Sequence, residues 1–171
     1  MAADRDWAFG FLEQARADLA AVRVLISHQA FTTGRASVFA MLLQMAFEKF
    51  AKAALLRSGA ITYAAARSSH KAASTMIAAM RLQKTLIAPI GGPLVWSAAF
   101  EAVETLERAQ PSMAQGAAQL EYPWETANGL VQWPARHLPI AIKLANPNSR
   151  LAAHVLDFAG KLDRNFDAIF P

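Results

Sequence analysis

The sequence contains no cysteine. Disulfides, thiolate nucleophiles and sulfur-ligated zinc sites are therefore excluded, and a reducing compartment is expected. A long apolar run is also missing. The most hydrophobic stretch, residues 36–47, is 12 residues long and includes Ser37 and Gln44, whereas a bilayer span needs roughly 20. No membrane association is expected. The charged start of the chain has no apolar signal-peptide core, so the expected localisation is cytoplasmic. β-branched and aromatic residues are few beside alanine, which favours helix over strand.

Most catalytic signatures are missing as well. The Gly91-Gly92 pair is flanked by prolines and followed by no P-loop lysine. No Glu-x-x-His pair is present, which argues against a di-iron carboxylate bundle. His-Glu-x-x-His is absent, and the histidines at 28, 70, 137 and 154 show no zinc spacing. Neither a metal nor a cofactor is expected.

What is present is enough apolar material for one domain. The 171 residues are 54% hydrophobic, sufficient to bury a sizeable core. A single domain over 1–171 is expected. Residues 8–29 place Leu12, Ala15, Leu19, Val22 and Ile26 at alternating steps of three and four, with Glu13, Arg16, Asp18 and Arg23 elsewhere. Residues 31–34 break this pattern. Residues 35–57 are apolar almost all round, which makes this helix the centre of the core. Its polar stripe is Gln44, Glu48 and Lys52, spaced i, i+4, i+8.

Further helices are expected over 69–86, 94–109 and 149–169. The segment 87–93 reads as a breaker, and Glu101, Glu104, Glu107 and Arg108 read as the solvent face of the fourth helix. Prolines at 111, 123, 134, 139 and 147 make 111–148 irregular, with one short helix over 134–145. The expected fold class is all-α, a bundle of about five helices.

Charge is unevenly distributed. Residues 49–100 hold seven basic side chains (Lys49, Lys52, Arg57, Arg67, Lys71, Arg81, Lys84) and no acid, while 101–125 hold five glutamates against one arginine. An acid-free block attracts anions. Within it, Arg67, His70, Lys71, Arg81 and Lys84 are the candidate anion- or RNA-binding residues. His70 has two readings: it helps bind an anion at the start of the third helix, or it caps or packs against the bundle.

Several of these segments together resemble the HEPN (higher eukaryotes and prokaryotes nucleotide-binding) family. They are Ala15-Arg16-Ala17-Asp18-Leu19, then Ala46-Phe47-Glu48-Lys49-Phe50-Ala51-Lys52-Ala53, then Ser69-His70-Lys71. The family shows A-x-x-D-L, A-x-E-K-x-x-K-A and a downstream His-Asp or His-Lys. Glu121-Tyr122-Pro123 is similar to its late Tyr-Pro. The resemblance covers residues 11–70 and extends loosely beyond. It implies an up-and-down bundle, a homodimer, and RNA, a nucleotide, an antitoxin or a minimal nucleotidyltransferase as partner.

Ribonuclease members of that family carry an Arg, four to six residues, then a His. Here Arg150 and His154 are separated by only three residues, and Leu151 stands where a polar residue is usual. Arg150, His154, Asp157, Lys161 and Arg164 also follow the spacing of an ordinary solvated face. Three functions thus compete: a non-catalytic binding module, a metal-independent ribonuclease using Arg150 and His154, and a structural or regulatory homodimer.

Overall fold

The computed structural model describes residues 4–27, 35–146 and 148–171. The expected break over 31–34, His28 and Pro147 lie outside these residues. Five helices of ten residues or more carry the fold: α1 (Asp4–Ser27), α2 (Ala36–Arg57), α4 (Ala72–Arg81), α6 (Pro93–Arg108) and α10 (Arg150–Ile169). Between them lie the short helices α3 (Tyr63–Ser68), α5 (Lys84–Ile90), α7 (Pro111–Ala114), α8 (Pro134–His137) and α9 (Pro139–Ala145). Two two-residue strands, β1 (Trp124–Glu125) and β2 (Val131–Gln132), pair antiparallel in register Trp124↔Gln132. The protein is an all-α bundle.

The nearly all-apolar α2 is central because it has no face suited to water. It packs along α1 and also touches α4, α6, α8 and α9, while α6 and α10 close the other side. Among the described residues, Val38 is the only large hydrophobic of α2 left exposed. The middle of the core is aromatic. Trp96 meets Phe158 edge-on at 4.9 Å, Phe158 lies 6.1 Å from Phe47, and Phe50 lies 5.6 Å from Phe166. Leu12, Ala15, Leu19 and Val22 of α1 are buried, as their spacing predicts.

Two stretches differ from the expectation. The helix expected over 69–86 is two helices, broken at Leu82 and Gln83. The inward stripe of Ala73, Met76, Ile77 and Met80 has no apolar successor at 83 or 84, and Leu82 is 84% exposed. Packing therefore gives no support to a continued helix. The expected breaker is itself largely helical: α5 runs through Pro89 to Ile90, and the stop lies at Gly91 (φ +142) and Gly92. A Cβ on Gly91 would sit 3.1 Å from Val95, so the turn into α6 needs glycine.

The proline-rich segment is also more ordered than expected. Pro111, Pro134 and Pro139 each open a short helix at its first residue, as Pro93 opens α6. The missing N–H costs nothing at that position. Trp124 is buried and pins the hairpin to the core, while Trp133 stays partly exposed against His137.

The Trp96 indole N–H is buried with no hydrogen-bond partner among the described residues, a desolvation cost that phenylalanine avoids. Trp96→Phe is expected to change unfolding free energy by less than about 1 kcal/mol, whereas Phe47→Ala should cost about 3–5 kcal/mol. Urea unfolding of both variants tests this. Equal tolerance at both positions would misplace the core.

Candidate functional site

Glu48, in the middle of α2, is the hub of a polar cluster set into apolar surroundings. One turn earlier, Gln44 donates from Nε2 to Oε2 at 2.9 Å; one turn later, Lys52 donates from Nζ to Oε1 at 2.6 Å. From beyond α6, Gln110 Nε2 reaches Oε2 at 3.5 Å, and His70 Nδ1 lies 3.6 Å from Oε1. Gln44 and Lys52 are buried. Burial is the largest influence on the Glu48 carboxyl and pushes its pKa up. The bonds from Lys52 and Gln44, with the charges of Lys52 and His70, outweigh it and hold the group below the usual glutamate range.

Two acids that the sequence places on outer faces are buried. Glu107 is 3% exposed, and its Oε1 accepts the backbone N–H of Ala73 at 2.9 Å and of Ser74 at 3.2 Å. It thereby caps α4, whose own preceding residue Lys71 supplies no side-chain cap. Glu107 follows Val103 by four residues, on the buried flank of α6. Burial pushes its pKa up, and the Glu48 charge adds to this against the α4 N–H bonds. Asp18, the second, accepts from Lys49 Nζ at 2.5 Å and from Gln14 Nε2 at 3.0 Å, cross-linking α1 to α2. It stands three residues after Ala15 and four before Val22, both buried. That spacing is the signal a reading of charges alone misses.

His70 joins this cluster to the surface. Its Nδ1 is buried without a hydrogen-bond partner, because 3.6 Å to Glu48 exceeds bonding distance. The ring also lines a cleft of about 420 Å³ together with Ser68, Ser69, Lys71, Ser112, Met113 and Gln115. No carboxylate is among these lining residues. The expected anion site on the α4 terminus itself is already filled, since Glu107 takes the N–H groups of Ala73 and Ser74. An anion in the cleft would instead meet Lys71, three serine hydroxyls and the His70 ring.

The acid-free block is partly neutralised in three dimensions. Lys49 pairs with Asp18, Lys52 with Glu48, and Arg57 with Asp167 at 2.6 Å. Arg67, Lys71, Arg81 and Lys84 make no ion pair among the described residues. Arg67 lies 5.9 Å from the Tyr63 ring. Lys71 immediately precedes α4 and Arg81 ends it, so about 15 Å of helix separates them. The structure thus gathers Arg67, His70 and Lys71 at one end of α4 and leaves Arg81 and Lys84 at the other. A larger cavity of about 590 Å³ is lined by Arg5, Phe9, Leu56, Arg57, Asp167 and Pro171. Its Arg57 is already engaged by Asp167 and by the Phe170 carbonyl.

Arg150 and His154 stand apart from the cleft. Arg150 is the exposed first residue of α10, and His154 is half-buried one turn later. Neither side chain has a hydrogen bond or ion pair among the described residues, and neither lines the His70 cleft. Among the described residues no group of three or more His, Asp or Glu side chains could hold a metal ion. No single described helix is long and apolar enough to cross a membrane. No family model, curated protein or solved structure matches the chain.

Glu48 and Glu107 respond to pH with opposite sign. Glu48, held below its ordinary value of 4.5, adds stability above that pH and loses it as pH falls through the lowered value. Glu107, raised above 4.5, takes up its proton first in the folded state, and its ionised form lowers stability at neutral pH. Glu107→Gln keeps an oxygen for the α4 N–H groups, so stability at pH 7 should be unchanged or raised by about 1 kcal/mol, with a flatter profile just above pH 4.5. Glu48→Gln strands Lys52 and should cost about 3 kcal/mol at pH 7. Urea unfolding between pH 4 and 8 checks both, and a larger loss in Glu107→Gln would reverse the assignment.

Proposed function

We propose that the protein is a helical module that binds RNA or a nucleotide through phosphate, as the HEPN domains it resembles do, and that it is not itself a nuclease. The observation that carries this reading is the carboxylate-free cleft at the α3–α4 junction, where Lys71 is unpaired and His70 is backed by the Glu48 cluster. An antitoxin or nucleotidyltransferase partner comes with the resemblance. Catalysis by Arg150 and His154 needs a base and a charge stabiliser converging on one phosphate. Neither residue lines the His70 cleft, where Lys71 and the serine hydroxyls stand.

Single-stranded RNA is expected to bind at low salt and to weaken steeply as salt rises, because neutralised phosphates release counterions. Lys71→Glu should weaken binding across all sequences alike, while Arg150→Ala and His154→Ala leave it unchanged. Fluorescence anisotropy against salt measures this. RNA cleavage that survives chelator and disappears in both Arg150→Ala and His154→Ala would replace this reading with the ribonuclease.

A homodimer is the second reading, and one surface favours it. The buried α2 offers no interface, but Tyr122, Leu130, Val131 and Trp133 are exposed together around the hairpin. Such a patch suits a two-fold contact. Leu130→Lys is then expected to convert a dimer into a monomer by sedimentation velocity. A wild-type chain that stays monomeric at micromolar concentration would end this reading.

A further inference from the structure

A third cavity, of about 340 Å³, lies at the other end of α3 from the His70 cleft, lined by Trp7, Gly10, Phe11, Gln14, Lys49 and Tyr63. Its size falls in the range of small-molecule sites. The aromatic walls form one assembly. The Trp7 indole stacks on Tyr63 at 3.8 Å and 12° from parallel, and Phe11 tilts against Tyr63 at 6.5 Å. Trp7 remains 39% exposed, so the indole is not spent on the core.

Gly10 explains why the cavity is open. It sits inside α1, where glycine is a poor helix former, and a Cβ placed on it would meet no heavy atom within 4 Å. Neither helix geometry nor packing requires glycine there. What it leaves is space between Trp7 and Gln14.

The cavity and the cleft are linked. Lys52 Nζ lies 5.7 Å from the centre of the Phe11 ring and 2.6 Å from Glu48, which in turn faces His70. Along the surface, α3 joins them, with Tyr63 at one end, Ser68 at the other, and Arg67 over Tyr63. At the inner rim, Gln14 and Lys49 are held in place by Asp18. Aromatic walls, hydrogen-bonding groups at one rim and an unpaired arginine beside them are the chemistry of a nucleobase attached to a phosphate backbone.

We infer that this cavity takes one base of a single-stranded RNA whose backbone phosphate occupies the His70–Lys71 cleft. The inference rests on the phosphate-binding reading above. It adds a base-stacking subsite made by Trp7, Phe11 and Tyr63 and kept open by Gly10. Arg67 bridges the two subsites at the level of the backbone.

The test titrates the full chain with labelled oligouridylate and, separately, with inorganic tripolyphosphate, which has charge but no base. Gly10→Leu fills the cavity without straining the helix, and Trp7→Ala removes a wall. Each is expected to weaken oligouridylate binding roughly tenfold, the loss of one stacking platform, and to leave tripolyphosphate binding unchanged. Lys71→Glu should weaken both ligands. Thermal melts confirm that each variant is folded. Unchanged oligouridylate affinity in both Gly10→Leu and Trp7→Ala would overturn the base subsite while leaving the phosphate cleft standing. Failure of the wild-type chain to bind either ligand would overturn both. Loss of self-association in Gly10→Leu with RNA affinity intact would assign the cavity to a second copy and overturn the inference.

Discussion

The structure depends on one half-buried carboxylate, that of Glu48. A helix as apolar as α2 can be enclosed on every side, and enclosure alone does not decide which neighbour sits where. Glu48 does. It draws Gln44 and Lys52 from its own helix, Gln110 from the end of α6 and His70 from the start of α4. Leaving the lysine or the amides unpaired in a low-dielectric interior is costly, so Gln110 ties the end of α6 to α2. Glu107 completes the arrangement by reaching from α6 to the first N–H groups of α4.

The two glutamates show how environment divides one residue type. Glu48 faces a lysine one turn away and is stabilised as an anion; Glu107, with burial and the neighbouring Glu48 charge outweighing its bonds from Ser74 and the α4 N–H groups, is destabilised as one. The cluster therefore pairs its one buried cation, Lys52, with the more strongly ionised of the two acids. Its outer edge is His70, which stands between the carboxylate and the surface cleft. The cleft and the polar core of the bundle thus meet at a single imidazole.

Much of the bundle was legible because helical periodicity is a property of neighbouring residues. The alternating spacing of Leu12, Ala15, Leu19 and Val22, and the apolar surround of α2, each point to the face that is buried. The polar stripe of Gln44, Glu48 and Lys52 was legible for the same reason. Asp18 and Glu107 were not, because their partners Lys49 and the α4 N–H groups are 31 and 34 residues away. A charge on a helix reads as solvent-facing until its distant partner is known. The break at Leu82–Gln83 was missed because both residues are acceptable in a helix, and what ends α4 is the lack of anything to pack against. The prolines misled in the opposite direction, since at a helix's first residue they are compatible with order. Trp7, Gly10 and Tyr63 carry no local signal, because the cavity they share is formed by segments more than 50 residues apart.

The same distinction governs the positive charge. Seven basic residues without an acid form a strong field when read along the chain, but α1, α10 and Glu48 itself supply acids to three of them. What survives is carried on α3 to α5, divided between the two ends of α4. Electrostatic interactions at physiological salt decay over about 8 Å, which is shorter than the roughly 15 Å length of that helix. The two groups therefore act as separate sites and not as one patch. On the phosphate-binding proposal, only a ligand longer than that helix would engage both groups.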